Sequence, residues 1–258
     1  MTASDVQFIQ SRDNAQLKAL RRLAQDNTAY RKSGRVWIEG DHLCRAALAR
    51  GVRPAQAVFA ASYWPLAPRE WTQCAAKTLV LDDALWRDLS ALESPAQMGF
   101  VLELPEVPAV LPGVASVILD RVQDAGNVGS ILRSASAFGF AQVIALKGTA
   151  ALWSPKVLRS GMGAHFALRL IEGADLADLD ALAVPIVVTS SHEGQDLNRA
   201  DLPMPGAWAM GHEGQGVCPE WGARATMAIR IAQPGGEESL NVAAAAAICL
   251  HASASAKS

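Results

Sequence analysis

Apolar positions near the start of the chain switch from the spacing of a helix to that of a strand and back again. In NAQLKALRRLAQD, Leu17, Leu20 and Leu23 fall three residues apart, which predicts an amphipathic helix. RVWIEG then reads as a strand ending in a turn, and DHLCRAALARG as a helix stopped by Gly51. The pattern lapses over 103–113, ELPEVPAVLPG, where Pro105, Pro108, Pro112 and Gly113 leave no periodicity. That composition predicts a stiff linker between a smaller domain over 1–102 and a larger one over 114–258. Beyond it, the apolar runs VASVILD, AQVIALKG, FALRLI, PIVVTSS, AWAMGHE and TMAIRIA are separated mostly by helical stretches. Continuous apolar runs alternating with helices predict an α/β fold with a largely parallel sheet covered on both faces.

The chain has 258 residues, half of them apolar, enough for two domains with cores of their own. Its four cysteines, Cys44, Cys74, Cys218 and Cys249, form no CxxC pair and no metal-ligand spacing. Buried thiols in a reducing compartment, without disulfides, are expected. The start, MTASDVQFIQSRD, has acids and no apolar stretch, unlike a secretory signal. No apolar run approaches the roughly 20 residues of a membrane span. A soluble, cytoplasmic protein with no membrane partner is expected. Net charge is only -2, but residues 1–54 hold ten cations against five acids, leaving -7 for the rest. A polyanion could be held by the N-terminal part; a solvated helix face is the other reading.

Ligands of parallel sheets gather at the carboxyl ends of the strands, so the loops there come first. In QDAGNVGSILRSASAFG, Asn127 reads as an N-cap, and Val128, Ile131, Leu132, Ala135 and Phe138 share one apolar face. Arg133 lies about 140° around from Val128 and points away from that face. In SPKVLRSGMGAHF, Gly161 and Gly163 either stop a helix or let main chain approach a neighbour closely. MGHEGQGV has the spacing G-x-x-G-x-G after a late strand, which argues against a nicotinamide enzyme of Rossmann type. HEGQ occurs at 192–195 and 212–215, but neither copy is H-E-x-x-H, and no metal is expected. Finally, QPGGEESLNVAAAAAICL ends in a helix with five alanines, Ala243 to Ala247. That helix is either simply buried and well capped, or passed closely by another segment.

Taken in order, the elements QDAGNVGSILRSASAFG, VLRSGMGAHF and MGHEGQGV…IRIAQPGGEESLNVAAAAAICL resemble the SpoU/TrmH family of RNA 2′-O-methyltransferases, within the knotted SPOUT class. SRDNAQLKALRRL…YRKSGRVWIEGDHLCRAAL is similar to the RNA-binding domain of the rRNA-modifying branch, so the resemblance covers nearly the whole chain. It implies a C-terminal trefoil-knotted domain, S-adenosylmethionine as cofactor and a homodimer formed through that domain. The knot would put Gly235, Gly236 and the alanine run where segments cross closely. By the same resemblance, Thr189, Gly211, Ile231, Leu240 and Asn241 line the cofactor pocket, and Ser239 caps the last helix. Two departures stand out: Ile231-Ala232-Gln233 replaces the usual Ile-Pro-Met, and the arginine that usually follows GAHF comes later, as Arg169.

The reaction implied is attack of a ribose 2′-oxygen on a methyl carbon activated by a sulfonium, so the protein must mainly align the two and manage one proton. Arg133, Asn127 and Asn241 are the implied catalytic residues. A guanidinium has donors and no lone pair to spare, so Arg133 is read as stabilising the developing alkoxide and holding the adjacent phosphate, with Asn127 fixing the ribose. An outward-facing Arg133 also puts the active site near the dimer interface. Arg21, Arg22, Arg31, Lys32 and Arg35 are the implied RNA contacts, on 23S rRNA or an assembling large subunit. A tRNA 2′-O-methyltransferase and a non-catalytic RNA-binding relative are the alternatives.

Overall fold

The computed structural model describes residues 5–90, 92, 94–190, 194–235 and 239–256. The chain divides into two compact units, one running to Glu106 and including Trp153–Phe166, the other made of Val107–Leu152 and the chain from Ala167 onward. Each has its own sheet.

In the first unit the strands are β1 (Asp5–Ile9), β2 (Arg35–Glu39), β3 (Gln56–Ala60), β4 (Lys77–Leu81) and β5 (Met98–Glu103), in the order β1-β4-β3-β5-β2. β1 and β3 run parallel to β4, while β5 is antiparallel to β3 and β2. α1 (Ala15–Gln25) begins at Asn14, whose side chain accepts the N–H groups of Gln16 and Leu17. Leu17 and Leu20 are buried as the spacing predicts, among Ile9, Val58, Leu79, Leu81 and Trp86. Each such leucine contributes about 2 kcal/mol of burial. Trp37 meets Trp86 edge-on at 6.0 Å, closing that side of the core. α2 (Ala29–Ser33) and α3 (Asp41–Ala49) flank β2, and α4 (Arg69–Thr72) and α5 (Asp83–Leu89) follow.

In the second unit all six apolar runs are strands: β6 (Ser116–Leu119), β7 (Gln142–Leu146), β8 (Arg169–Ala174), β9 (Ile186–Thr189), β11 (Ala207–Met210) and β12 (Met227–Arg230). A short β10 (Gln195–Asp196) completes the order β10-β12-β9-β11-β6-β7-β8. Every neighbouring pair is parallel. β6, β7 and β11 are buried along their whole length, which is why their sequences are continuous apolar runs and not alternating ones. α6 (Ala125–Ala137) follows β6, and the last helix, Val242–Ser255, packs against it and against β11. The buried Trp208 donates its indole N–H to Ser253 Oγ at 2.8 Å, pinning that helix to the sheet. Between β5 and β6 the chain has no regular structure over 104–111, but it is held: Leu111 exchanges two hydrogen bonds with Gln142, and Arg169 Nε donates to Ala109 O at 2.8 Å.

Trp153–Phe166 belongs to the first unit, although the alternation of elements assigns it to the second domain. Its helix α7 (Pro155–Gly161) packs on α1 and β2. The last helix is labelled α8 below. Among the described residues no helix is long and apolar enough to cross a membrane.

Candidate functional site

β12, β9, β11 and β6 lie side by side in the second unit and end on one edge. In register, Thr189 pairs with Ile229 and Met210 with Leu119. Thr189 therefore closes β9, Gly211 follows β11, and Ile231 follows β12. Leu240, 39% exposed, immediately precedes Asn241, the cap of α8. Main chain, one hydroxyl and apolar side chains fit an adenosine moiety, and this set brings no cation to repel a sulfonium. Gly211 is a glycine for a local reason. His212 and Gly216 exchange main-chain hydrogen bonds at 2.9 Å, and a Cβ on Gly211 would run into the main chain of Gly216 and Val217.

A relay of three side chains stands beside this edge. Asn127 does not cap its helix; Asp124 does, accepting the N–H of Asn127 at 2.8 Å, because α6 starts three residues earlier than the sequence suggests. Asn127 is thereby freed. Its Nδ2 donates to Glu213 Oε1 at 3.2 Å, and its Oδ1 accepts from Asn241 Nδ2 at 3.0 Å. Asn241 in turn caps α8, accepting the N–H groups of Ala243 and Ala244 at 2.9 and 3.2 Å. The cap expected at Ser239 thus belongs to Asn241, whose carbonyl oxygen reaches those N–H groups. The carboxylate sets both amide orientations: an acceptor at one end obliges Asn127 to donate there and accept at the other.

Glu213 also accepts the N–H groups of Asp124 at 3.1 Å and Gln123 at 3.3 Å. Burial works against its charge, but the N–H of Glu213 itself, the Asn127 amide and the N–H groups of Asp124 and Gln123 outweigh that and hold the carboxyl below its ordinary range. A carboxylate so engaged orients its neighbours and is a poor proton acceptor. Sequence reasoning missed this role. It also missed Asp120, 2% exposed at the end of β6, which accepts from Arg121, from the Cys218 N–H at 2.7 Å and from the Trp221 indole at 2.9 Å. The available signal was an acid closing the apolar run SVILD.

Residues 115–251 match the SpoU rRNA Methylase family. The chain belongs to that family. It is 30% identical to an uncharacterized tRNA/rRNA methyltransferase from Synechocystis sp., over 96% of this chain and 93% of the relative. It is 29% identical to a 23S rRNA guanosine 2′-O-methyltransferase from Bacillus subtilis, over 85% and 88% of the two chains. The fold is similar to that of an AdoMet-bound rRNA methyltransferase from Sinorhizobium meliloti, with a TM-score of 0.83, 26% identity and coverage of 96% and 97%.

The SpoU domain leaves one expected residue apart. Arg133 is exposed on the outer side of α6, opposite the buried Val128, Ile131, Leu132 and Ala135, and among the described residues it makes no ion pair or side-chain hydrogen bond. It stands about 9 Å farther along the helix axis than Asn127 and about 120° around it. Gly161 and Gly163 both serve close approach: His165 lies over Gly161, and a Cβ on Gly163 would come within 2.5 Å of Ala46 Cβ on α3. Of the two HEGQ copies, His192 and Glu193 lie outside the described residues, as does Gly236. In the second copy His212 Nδ1 accepts the Gly214 N–H at 3.0 Å. Among the described residues no group of three or more His, Cys, Asp or Glu is placed to hold a metal.

The five basic residues expected to contact RNA divide into two sets. Arg22, Lys32 and Arg35 line a groove of about 870 Å³, together with Lys18, Gln16 and Gln56. Arg21 is turned to Asp88 at 3.4 Å, and Arg31 lies over the Tyr30 ring.

Proposed function

We propose that this S-adenosylmethionine-dependent RNA methyltransferase of the SpoU family methylates a ribose 2′-oxygen of large-subunit rRNA. The observation that carries the reading is the Glu213–Asn127–Asn241 relay at the carboxyl edge of the parallel sheet. It presents two oriented amides and a main-chain cradle where a ribose and a nucleoside cofactor would meet. When bound, S-adenosylmethionine supplies a methyl group already activated on sulfur. Thr189, Gly211, Ile231, Leu240 and Asn241 would hold it. Asn127, fixed at both ends, would orient the ribose. Arg133 would stabilise charge developing on the 2′-oxygen and grip the adjacent phosphate, a task suited to a planar fork of donors.

The position of Arg133 on an outer face, away from the relay, supports a homodimer in which α6 meets a second copy and the arginine serves the partner's relay. The knotted threading of the C-terminal segment belongs to the same reading, supported by the small side chains of α8 where it packs along α6. The groove lined by Lys18, Arg22, Lys32 and Arg35 supports RNA contact by the first unit. The ion pair Arg35 makes with Glu103 at 2.8 Å is exposed, worth little in water, and could be exchanged for a phosphate. Four free thiols agree with a cytoplasmic setting.

The direct test is transfer of labelled methyl to unmodified 23S rRNA and, separately, unmodified tRNA, with wild type and Arg133→Ala. Label on the ribose of 23S rRNA that is lost in the variant is the expected result. Label on tRNA alone would replace the substrate, and no cofactor binding would leave a non-catalytic RNA-binding relative.

A further inference from the structure

Arg121 follows β6 with a φ of 60°, in the left-handed region that a residue with a side chain enters at a cost. Its surroundings are arranged to keep it there. Its N–H donates to Thr149 Oγ1 at 3.1 Å, and that hydroxyl donates to Leu119 O at 2.9 Å. Gly148 makes room for the side chain, since a Cβ there would come within 3.1 Å of Arg121 Cγ.

From this position the guanidinium reaches two places. Nε and Nη2 donate to the two oxygens of Asp120, at 2.8 and 3.5 Å, and Nη1 donates to Gln215 Oε1 at 3.3 Å. Asp120 Oδ2 is the acceptor that also takes the Cys218 N–H and the Trp221 indole. The pair therefore holds the Gly211–Val217 loop from both sides, at Gln215 within it and at Cys218 just beyond. A glycine would occupy the same turn without strain but could hold nothing. What the costly conformation secures is reach, with the planar fork divided between a carboxylate next to it in sequence and an amide 94 residues away.

We propose that Arg121 is a positioning residue for methyl transfer: it fixes the loop that carries Gly211 and Glu213, and through them the cofactor cradle and the orientation of Asn127. This rests on the reading of that sheet edge as the cofactor site. Nothing in the role requires Arg121 to touch substrate.

The test compares wild type with Arg121→Gly, which removes the side chain and the backbone strain together, and with Gln215→Ala, which leaves Asp120 untouched. Amide hydrogen exchange over residues 212–217 is measured in the cofactor-free protein, and S-adenosylmethionine binding by calorimetry. For Arg121→Gly, loop exchange should speed up, and cofactor affinity fall, each about tenfold, the scale of one lost charge-assisted hydrogen bond. Gln215→Ala should reproduce part of the exchange effect, and Arg121→Lys, charged but without a fork, should restore little of it. Wild-type loop exchange in both Arg121→Gly and Gln215→Ala would overturn the proposal. If Arg121→Gly fails to fold, Gln215→Ala decides alone. Wild type that binds no S-adenosylmethionine would overturn the site reading instead, while the exchange comparison would still judge the clamp.

Discussion

Asn241 performs two tasks that different substitutions separate. Its oxygen caps α8 and its nitrogen holds Asn127. Asn241→Ala should cost about 1 kcal/mol in urea unfolding, the usual worth of a cap, and should lose methyl transfer. Asn241→Ser should recover most of the stability, because serine caps as well as asparagine, yet leave transfer low, because its side chain is too short to reach Asn127. Recovery of both would reduce Asn241 to a cap. Asp120 makes a prediction about acid. Burial tends to raise its pKa, but the hydrogen bonds from Arg121, Cys218 and Trp221 outweigh that and hold it below its ordinary value. A carboxyl depressed in the folded state contributes stability that is complete above its unfolded pKa, near 3.8, and is lost as pH falls through the lower folded value. Glu213 is depressed in the same direction, from 4.5. Asp120→Asn should therefore flatten the acid limb of stability against pH, which denaturant unfolding across that range would read out.

Among the elements, α8 is apolar around its circumference over its first nine residues, Val242 to Leu250, and its alanines are not equivalent. Ala246 is fully buried, whereas Ala244 is exposed. Ala246→Leu should destabilise the protein by about 1–3 kcal/mol through overpacking against its neighbours. Ala244→Leu should be nearly neutral in the same unfolding experiment. Equal effects would mean that the run is set by helix propensity and not by close packing. Gly163 makes the corresponding point in the first unit. Its φ of 88° and the nearness of Ala46 exclude a side chain. The glycine-rich element that looks like a ligand loop is thus committed, at this residue, to contact within its own unit.

For the whole molecule, Arg133 decides what must be tested. If it serves the relay of a second copy, Arg133→Ala and Asn127→Ala should each be inactive alone, and co-refolded mixtures should regain activity. Roughly a quarter of wild-type turnover is expected, since half of the dimers would be mixed and each mixed dimer would hold one intact site. Failure to recover in mixtures shown to contain mixed dimers would put Arg133 and Asn127 to work in the same chain.

Periodicity and motif order carried much of this protein by themselves. Six apolar runs became six parallel strands, and Leu17 and Leu20 turned inward, because burial on both faces or on one writes directly into residue spacing. Asn127 and Asn241 were legible as residues. Their tasks were not: Asp124 competes for the same cap three residues upstream, and only the fold brings Asn241 within 3.0 Å of a side chain 114 positions away. The tasks of Asp120, Arg121 and Glu213 stayed hidden for the same reason, since the loop groups that each one also binds lie some 90 to 100 residues distant, beyond the reach of local spacing. Tertiary structure likewise decided that Trp153–Phe166 packs with the first unit. Sequence determines which segments must be buried; which polar groups meet depends on where burial brings them.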